Sequence, residues 1–427
     1  MKFRSALAAL AVVVFSMTVL ANGGPAENLA KLAVGNDATA ATEAARKLRE
    51  MGPEGLRAIL SENRDAIGRF KSTGEADANW KRLTAAIDAV AMQKDAYTSG
   101  LYWYTDLEAA KAAAKKQNKP ILTLRLLGNL NEEFSCANSR LFRSILYPNS
   151  EISKYLRENY ILHWKSVRPA PRITIDFGDG RKIERTITGN SIHYVLNPDG
   201  KVIDAIPGLY SPSAFLGYVK NADLAWENAS SKTPKEQTRL LMEYRKKSFD
   251  AIKKGREQAV ATAGVELTET QSGTLAILAA PMAVAKMVVV DEYSILRVYD
   301  DFAKFEASIK FDDWDKLAKI YAANAELDAN SIAMIRRQNA KTGLTKAEFD
   351  GLFKKLDNFI ALDTTRNDFL FHAKLYDWLN QPRGVGELEA FNARVYDQLF
   401  RTPNTDKWLG LYSSDVYTAL DGNGIIK

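Results

Sequence analysis

A chain of 427 residues with 46% hydrophobic residues is long enough for two or three globular domains, and its formal net charge of +6 is mild for that length. No basic cluster is interleaved with aromatic residues, so the composition argues against nucleic-acid binding. The one cysteine, Cys136, cannot form an internal disulfide, so burial of a hydrophobic core must stabilise the fold.

The first 21 residues have the layout of a secretory signal peptide. Lys2 and Arg4 precede an apolar stretch at residues 6–21, which ends in small residues and is followed by a glycine- and proline-containing turn. The stretch is short for a membrane span, so cleavage after Ala21 is favoured over an uncleaved anchor. The sequence therefore predicts an exported protein, periplasmic or extracellular, with no stable membrane span after cleavage.

Residues 22–97 have the pattern of helices. Apolar residues recur at helical spacing on both sides of a break at Gly52 and Pro53. Glycine suits the left-handed end of one helix, and proline suits the first turn of the next. The pair resembles a single repeat of the HEAT kind. No convincing second copy follows, so a helical N-terminal segment is predicted rather than a long solenoid.

Helical and strand patterns alternate from about residue 98 to residue 228. An alanine-rich helix begins with Thr105 and Glu108 in capping-box spacing. Residues 121–127 then form an apolar stretch that predicts a buried strand. A polar loop leads from this strand to Cys136, which stands at the start of another predicted helix.

Two antiparallel hairpins follow a helix at 151–158 and a second apolar strand at 160–164. Their spans and turns are residues 172–188 with Asp179-Gly180, and residues 191–208 with Pro198-Asp199-Gly200. A helix from Ser211 to about Val219 closes the unit. This alternation implies an α/β sheet to which the last hairpin adds an antiparallel pair.

The chain is predicted to be helical to its end after a polar linker at 228–234. Its most apolar stretch beyond the N-terminus, residues 274–290, is interrupted by Pro281 and Lys286. A buried helix or helix pair is therefore expected there rather than a membrane span. The predicted organisation is a signal peptide at 1–21, a helical segment at 22–97, an α/β domain at 98–228 and a helical domain at 229–427.

Several motifs of the α/β region occur in a recognisable order. A helix ending in N-K-P precedes a buried strand, and a cysteine follows at a helix start. The last strand pair, Y-V-L-N-P-D-G-K-V-I-D, is followed by P-G and a closing helix. In these features residues 98 to about 225 resemble a thioredoxin-like domain. The resemblance implies an α/β thioredoxin-like central domain flanked by an N-terminal helical segment and a C-terminal all-α domain.

The resemblance also implies thiol–disulfide chemistry, with two departures. Active members carry a C-x-x-C where the partial positive charge of a helix N-terminus favours the attacking thiolate. Cys136 matches the first cysteine, and Ser139 replaces the second; serine can donate a hydrogen bond to a thiolate but cannot resolve a mixed disulfide. In a less favoured register, Cys136 matches the second cysteine and Glu133 the first. Ile192 occupies the family's cis-proline position, and a trans peptide is expected there.

Histidine supplies the remaining candidate for chemistry. His193, on the strand expected to face Cys136, could draw the thiol toward thiolate, although local hydrogen bonding of a strand histidine is the simpler interpretation. His163 and His372 are expected to be structural. Three scattered histidines and one cysteine do not form a metal-ligand pattern, and neither a metal nor a cofactor is expected.

Three functions are compatible with these patterns. The favoured one is an exported thioredoxin-like protein of the cell envelope, degenerate or with one working cysteine, that acts as a binding or accessory module for a protein partner. The first alternative is a thiol–disulfide oxidoreductase in which Cys136 attacks a protein disulfide and an external thiol resolves the intermediate. The second is a structural scaffold whose helical domains bind a partner. An inert, buried Cys136 would favour the non-redox functions.

Overall fold

A central mixed sheet of five strands lies among many helices, with helical regions before and after it. The structure is a computed structural model, and it describes residues 24–186, 190–265, 311–381, 386–400, 419–420 and 425. The predicted signal peptide and the apolar stretch at 274–290 lie outside the described residues. Within those ranges, no helix combines the length and the apolar character that a membrane crossing requires.

The N-terminal region contains five helices with a core of their own. They are α1 Pro25–Leu32, α2 Ala38–Glu50, α3 Pro53–Glu62, α4 Arg64–Thr73 and α5 Ala78–Ala91. The predicted break is confirmed, because Gly52 has a φ of +70° and Pro53 is the first residue of α3. Leu48, Ile59 and Trp80 belong to a buried cluster distinct from the cluster around the sheet.

The sheet has the spatial order β1-β3-β2-β6-β7. The strands that the structure describes in this region are β1 Trp103–Tyr104, β2 Ile121–Leu127, β3 Ile161–Arg168, β4 Arg172–Asp176, β5 Lys182–Thr186, β6 Ile192–Leu196 and β7 Val202–Pro207. β1 and β2 both run parallel to β3, whereas β6 is antiparallel to β2 and to β7. Every residue of β2 is buried, including Thr123 and Arg125, and the burial predicted for this mainly apolar strand is confirmed.

The helices of this region are α6 Leu107–Gln117, α7 Ala137–Leu141, α8 Ser150–Asn159 and α9 Pro212–Ser230, and a π-helical turn, π1 Phe142–Leu146, continues α7. The capping box predicted at Thr105 is wrong. Asp106 caps α6 instead, and its carboxylate accepts the Ala109 N–H at 2.7 Å. Because α9 continues to Ser230, the linker expected at 228–234 is reduced to residues 231–233.

β4 and β5 pair only with each other and form a separate hairpin. The sequence predicts a two-residue turn at Asp179-Gly180, but five residues, 177–181, connect the paired ends Asp176 and Lys182. Gly178 and Gly180 both have positive φ, so the connection needs two glycines. The hairpin itself is confirmed, and the extra residues give it a longer loop.

The C-terminal region packs directly against the sheet. The helices among its described residues are α10 Pro234–Ala263, α11 Phe311–Tyr321, α12 Ala329–Gln338, α13 Lys346–Arg366, α14 Ala373–Leu379 and α15 Leu388–Arg394, with π-helical turns π2 Asn367–His372 and π3 Val395–Leu399. Fully buried residues such as Phe371, Leu375 and Val395 belong to the same hydrophobic cluster as β2 and β6. The sheet and these helices therefore share one core.

Candidate functional site

Cys136 caps the N-terminus of α7. Its N–H donates to the carbonyl of Leu127 at 3.0 Å, so the loop after β2 returns to the end of that strand. Gly128 adopts a φ of +73° in this loop, where a Cβ would lie only 3.0 Å from Ser135 Cα. The expected position of Cys136 at a helix start is confirmed, and its side chain is fully buried.

A chain of serine hydroxyls leads away from the Cys136 sulfur. Sγ lies 3.1 Å from Ser191 Oγ, and the thiol donates to Ser139 Oγ at 3.6 Å. Ser139 Oγ is 2.6 Å from Ser135 Oγ and 2.9 Å from the Cys136 carbonyl oxygen. Ser139 thus accepts a hydrogen bond from the Cys136 thiol. Ser191, which the sequence analysis did not single out, is the nearer hydroxyl.

Arg143 places a buried positive charge at the end of this hydroxyl chain. Its Nη2 donates to Ser135 Oγ and to the Glu133 carbonyl, each at 3.2 Å, and its Nε donates to the Ser139 carbonyl at 3.4 Å. The side-chain carboxylate of Glu133 pairs with Lys94 at 3.1 Å instead. Burial lowers the pKa of Arg143. Two serine hydroxyls therefore connect the sulfur to a guanidinium bonded only to neutral groups.

His193 is directed toward aromatic side chains. It lies on β6, its Nε2 is 2.9 Å from the Tyr147 hydroxyl, and its ring packs 4.7 Å from that of Phe142. Burial lowers the pKa of His193 to about 3, so the imidazole is neutral at physiological pH. Ser191, which directly precedes β6, contacts the Cys136 sulfur. His163, expected to be structural, is buried on β3, with Nδ1 2.6 Å from Thr123 Oγ1.

The backbone beside the sulfur is paired within the fold. Ile192 lies opposite Arg125 of β2 and Pro207 of β7, and the Ser191 carbonyl accepts the Gly208 N–H at 2.7 Å. None of the described peptide bonds is cis, so the trans peptide expected before Ile192 is confirmed. Intrachain hydrogen bonds thus occupy the segment that leads into β6.

A segment from the C-terminal region, residues 388–400, packs beside this site. The Tyr396 hydroxyl lies 3.2 Å from the carbonyl oxygen of Arg125 and 3.1 Å from that of Asn190, which precedes Ser191. Burial raises the pKa of Tyr396 well above its ordinary value, and a negative charge on Cys136 would raise it further. The segment therefore covers the carboxyl end of β2 and the entry to β6 next to the sulfur.

A second buried polar cluster, centred on His372, joins β7 to the C-terminal helices. His372 Nε2 lies 3.5 Å from Asp204 Oδ1, and its Nδ1 lies 3.4 Å from Asp368 Oδ1. Tyrosine hydroxyls satisfy both acids: Tyr244 donates to Asp204, and Tyr218 donates to Asp368 at 2.6 Å. Burial alone would lower the pKa of His372, but the nearby carboxylates of Asp204 and Asp368 raise it to about 9.

This arrangement predicts that stability falls as the pH rises from about 6.5 to about 9. In that interval His372 stays protonated in the folded state, whereas an unfolded histidine with a pKa of 6.5 has lost its proton. Its contribution is therefore complete below pH 6.5 and declines by up to ~1.4 kcal/mol per pH unit until pH 9. Urea denaturation across this range measures the slope. A His372→Leu variant with the wild-type slope would contradict the assignment.

The two clusters differ in what they can do chemically. The Cys136 cluster contains the only nucleophilic sulfur of the chain. The His372 cluster is a buried ion network that joins elements distant in sequence. Within the described ranges, no group of three histidine, cysteine or acidic side chains could hold a metal ion.

Comparison of the chain with protein-family models, with curated proteins and with solved structures gives no match.

Proposed function

We propose that the chain is an exported thioredoxin-like protein of the cell envelope that acts as a binding or accessory module. The thioredoxin-like assignment is supported by the order of elements: α6, the buried strand β2, a helix that starts after Cys136, the β6–β7 pair and α9. Export is supported by the signal-peptide pattern of residues 1–21. The mixed sheet with helical regions on both sides is compatible with this proposal.

The burial of Cys136 carries the functional part of the proposal. Disulfide exchange requires a thiolate that reaches a disulfide sulfur of the substrate. Cys136 has no exposed surface, its sulfur contacts the hydroxyls of Ser139 and Ser191, and the chain has no second cysteine to resolve a mixed disulfide. A protein disulfide cannot approach this sulfur without displacement of the residues around it, so a binding role fits better than exchange.

Alkylation of the folded protein tests this proposal. We expect N-ethylmaleimide to modify Cys136 more than about 100-fold more slowly in buffer than in urea, because a buried thiol reacts only from opened states. The rate is measured by mass spectrometry on the full chain. A Cys136→Ser variant that also carries Ser72→Cys, at an exposed position of α4, is the matched control for an accessible thiol.

The outcome also separates the proposal from its redox rival. The proposal fails if folded wild-type protein reacts as fast as the Ser72→Cys control and reduces a protein disulfide in the presence of glutathione. That result, lost in Cys136→Ser, would assign a thiol oxidoreductase with an external resolving thiol. Slow alkylation together with a lack of disulfide reduction supports the binding role.

A further inference from the structure

A groove of about 540 Å³ lies between the carboxyl-terminal halves of β2 and β3 and the segment 388–400. Its lining includes three cationic side chains, Arg125, Lys165 and Arg394, and two acidic ones, Glu389 and Asp397. We propose that this groove binds an oxyanion, a phosphate or a carboxylate, and that Glu389 occupies the site as an internal competitor.

Arg125 is the buried receptor of the site. It projects from the central strand β2, and its side chain is only 1% exposed. One terminal nitrogen donates to Thr123 Oγ1, the other donates to Glu389 Oε1 at 2.9 Å, and the buried Nε has no hydrogen-bond partner within the described chain. A buried cation with an unmet donor is costly unless an anion is close. The groove therefore presents a guanidinium that favours an anionic ligand.

Glu389 only partly compensates the buried charge of Arg125. The same oxygen, Oε1, contacts Arg125 and also lies 3.3 Å from the Lys165 ammonium. Partial burial raises the pKa of Glu389, but the attraction of Arg125 and Lys165 outweighs it and lowers the pKa overall. The carboxylate is therefore ionised and half exposed, and two cations share one of its atoms.

A free phosphate or carboxylate can pair with Arg125 and Lys165 more completely than Glu389 does. Phosphate and carboxylate offer several acceptor oxygens, and a guanidinium binds such groups through two parallel hydrogen bonds. The groove has room for such a group, and its lining leaves one positive charge in excess. Glu389 belongs to the first turn of α15, so the competitor is on a different element from Arg125 and Lys165, which lie on the sheet. Its carboxylate can move away without disturbing strand pairing.

Removing the competitor tests the site. In the full chain, Glu389→Ala is expected to bind inorganic phosphate at least about tenfold more tightly than wild type, because the internal carboxylate no longer competes. Isothermal titration at constant ionic strength measures the affinity, with acetate as the second probe. Glu387→Ala is the matched control: it makes the same change in net charge two residues away, at an exposed position that does not line the groove.

The added variant Lys165→Ala makes the test decisive. Combined with Glu389→Ala, it should abolish most of the gain, because the anion loses one of the two cations that contact Glu389 in the wild-type protein. Tighter binding of phosphate than of acetate would show that the site prefers a phosphate group, and comparable binding of both would show a general oxyanion site. The proposal is wrong if Glu389→Ala gains no more affinity than Glu387→Ala, or if the gain persists without Lys165. A folded circular-dichroism spectrum of each variant excludes loss of structure as the cause.

Discussion

Asp204→Ala is expected to lower the free energy of unfolding by about 3–5 kcal/mol, which is the cost of breaking a buried charge cluster by removal of one member. Asp204 lies on β7 and is fully buried, with His372 on one side and the Tyr244 hydroxyl on the other. Its loss removes one of the two carboxylates beside His372 and the acceptor of the Tyr244 and Tyr376 hydroxyls. Urea denaturation at pH 6.5 measures the effect.

The control for the Asp204→Ala variant is an exposed acid of the C-terminal region. Asp377 lies on α14, is half exposed and pairs with Lys374 at 2.9 Å. Asp377→Ala should change stability by less than about 0.5 kcal/mol, because exposed ion pairs contribute little. If the two variants were equally stable, the Asp204–His372 contact would not contribute to the fold. The pH series on the wild-type protein would then also have to be flat between pH 6.5 and 9.

Features that depend on near neighbours could be predicted from the sequence. The apolar run at 121–127 indicates a buried strand whatever packs on it, and Gly52-Pro53 ends one helix and starts the next through backbone geometry alone. The same reasoning places Cys136 at a helix start. It failed by one residue at α6, because Thr105 and Asp106 both suit a cap and the pattern does not decide between them.

The surroundings of Cys136 are formed by residues that are distant in the sequence, so a local sequence pattern does not predict them. Ser191 reaches the sulfur from 55 positions away, and the Tyr396 hydroxyl reaches the Asn190 carbonyl from 206 positions away. Glu389 and Arg125 are 264 positions apart. Nothing in the local sequence distinguishes Ser191, Tyr396 or Glu389 from other residues of the same type, so only the tertiary fold identifies these partners. The burial of the cysteine could not be derived for the same reason.

The segment 388–400 is the element whose removal should expose the thiol. Tyr396→Ala deletes a fully packed phenol ring and its contacts with the Arg125 and Asn190 carbonyls. Truncation of a buried aromatic side chain costs about 3–5 kcal/mol, and 3 kcal/mol is roughly a 100-fold change in an opening equilibrium. Native alkylation of Cys136 should therefore accelerate about 100-fold while the circular-dichroism spectrum stays unchanged.

Two further variants separate local opening from general loosening. Tyr396→Phe keeps the ring and loses only the hydroxyl, so its alkylation rate should lie between those of wild type and Tyr396→Ala. Trp80→Ala removes an aromatic ring, stacked 3.8 Å from Phe70, from the separate N-terminal core. It should destabilise α5 and leave the alkylation of Cys136 near the wild-type rate, because its cluster does not include the residues around the sulfur. Equal acceleration by Trp80→Ala and Tyr396→Ala would mean that global unfolding exposes the thiol. No acceleration by Tyr396→Ala would mean that the segment does not control access to it.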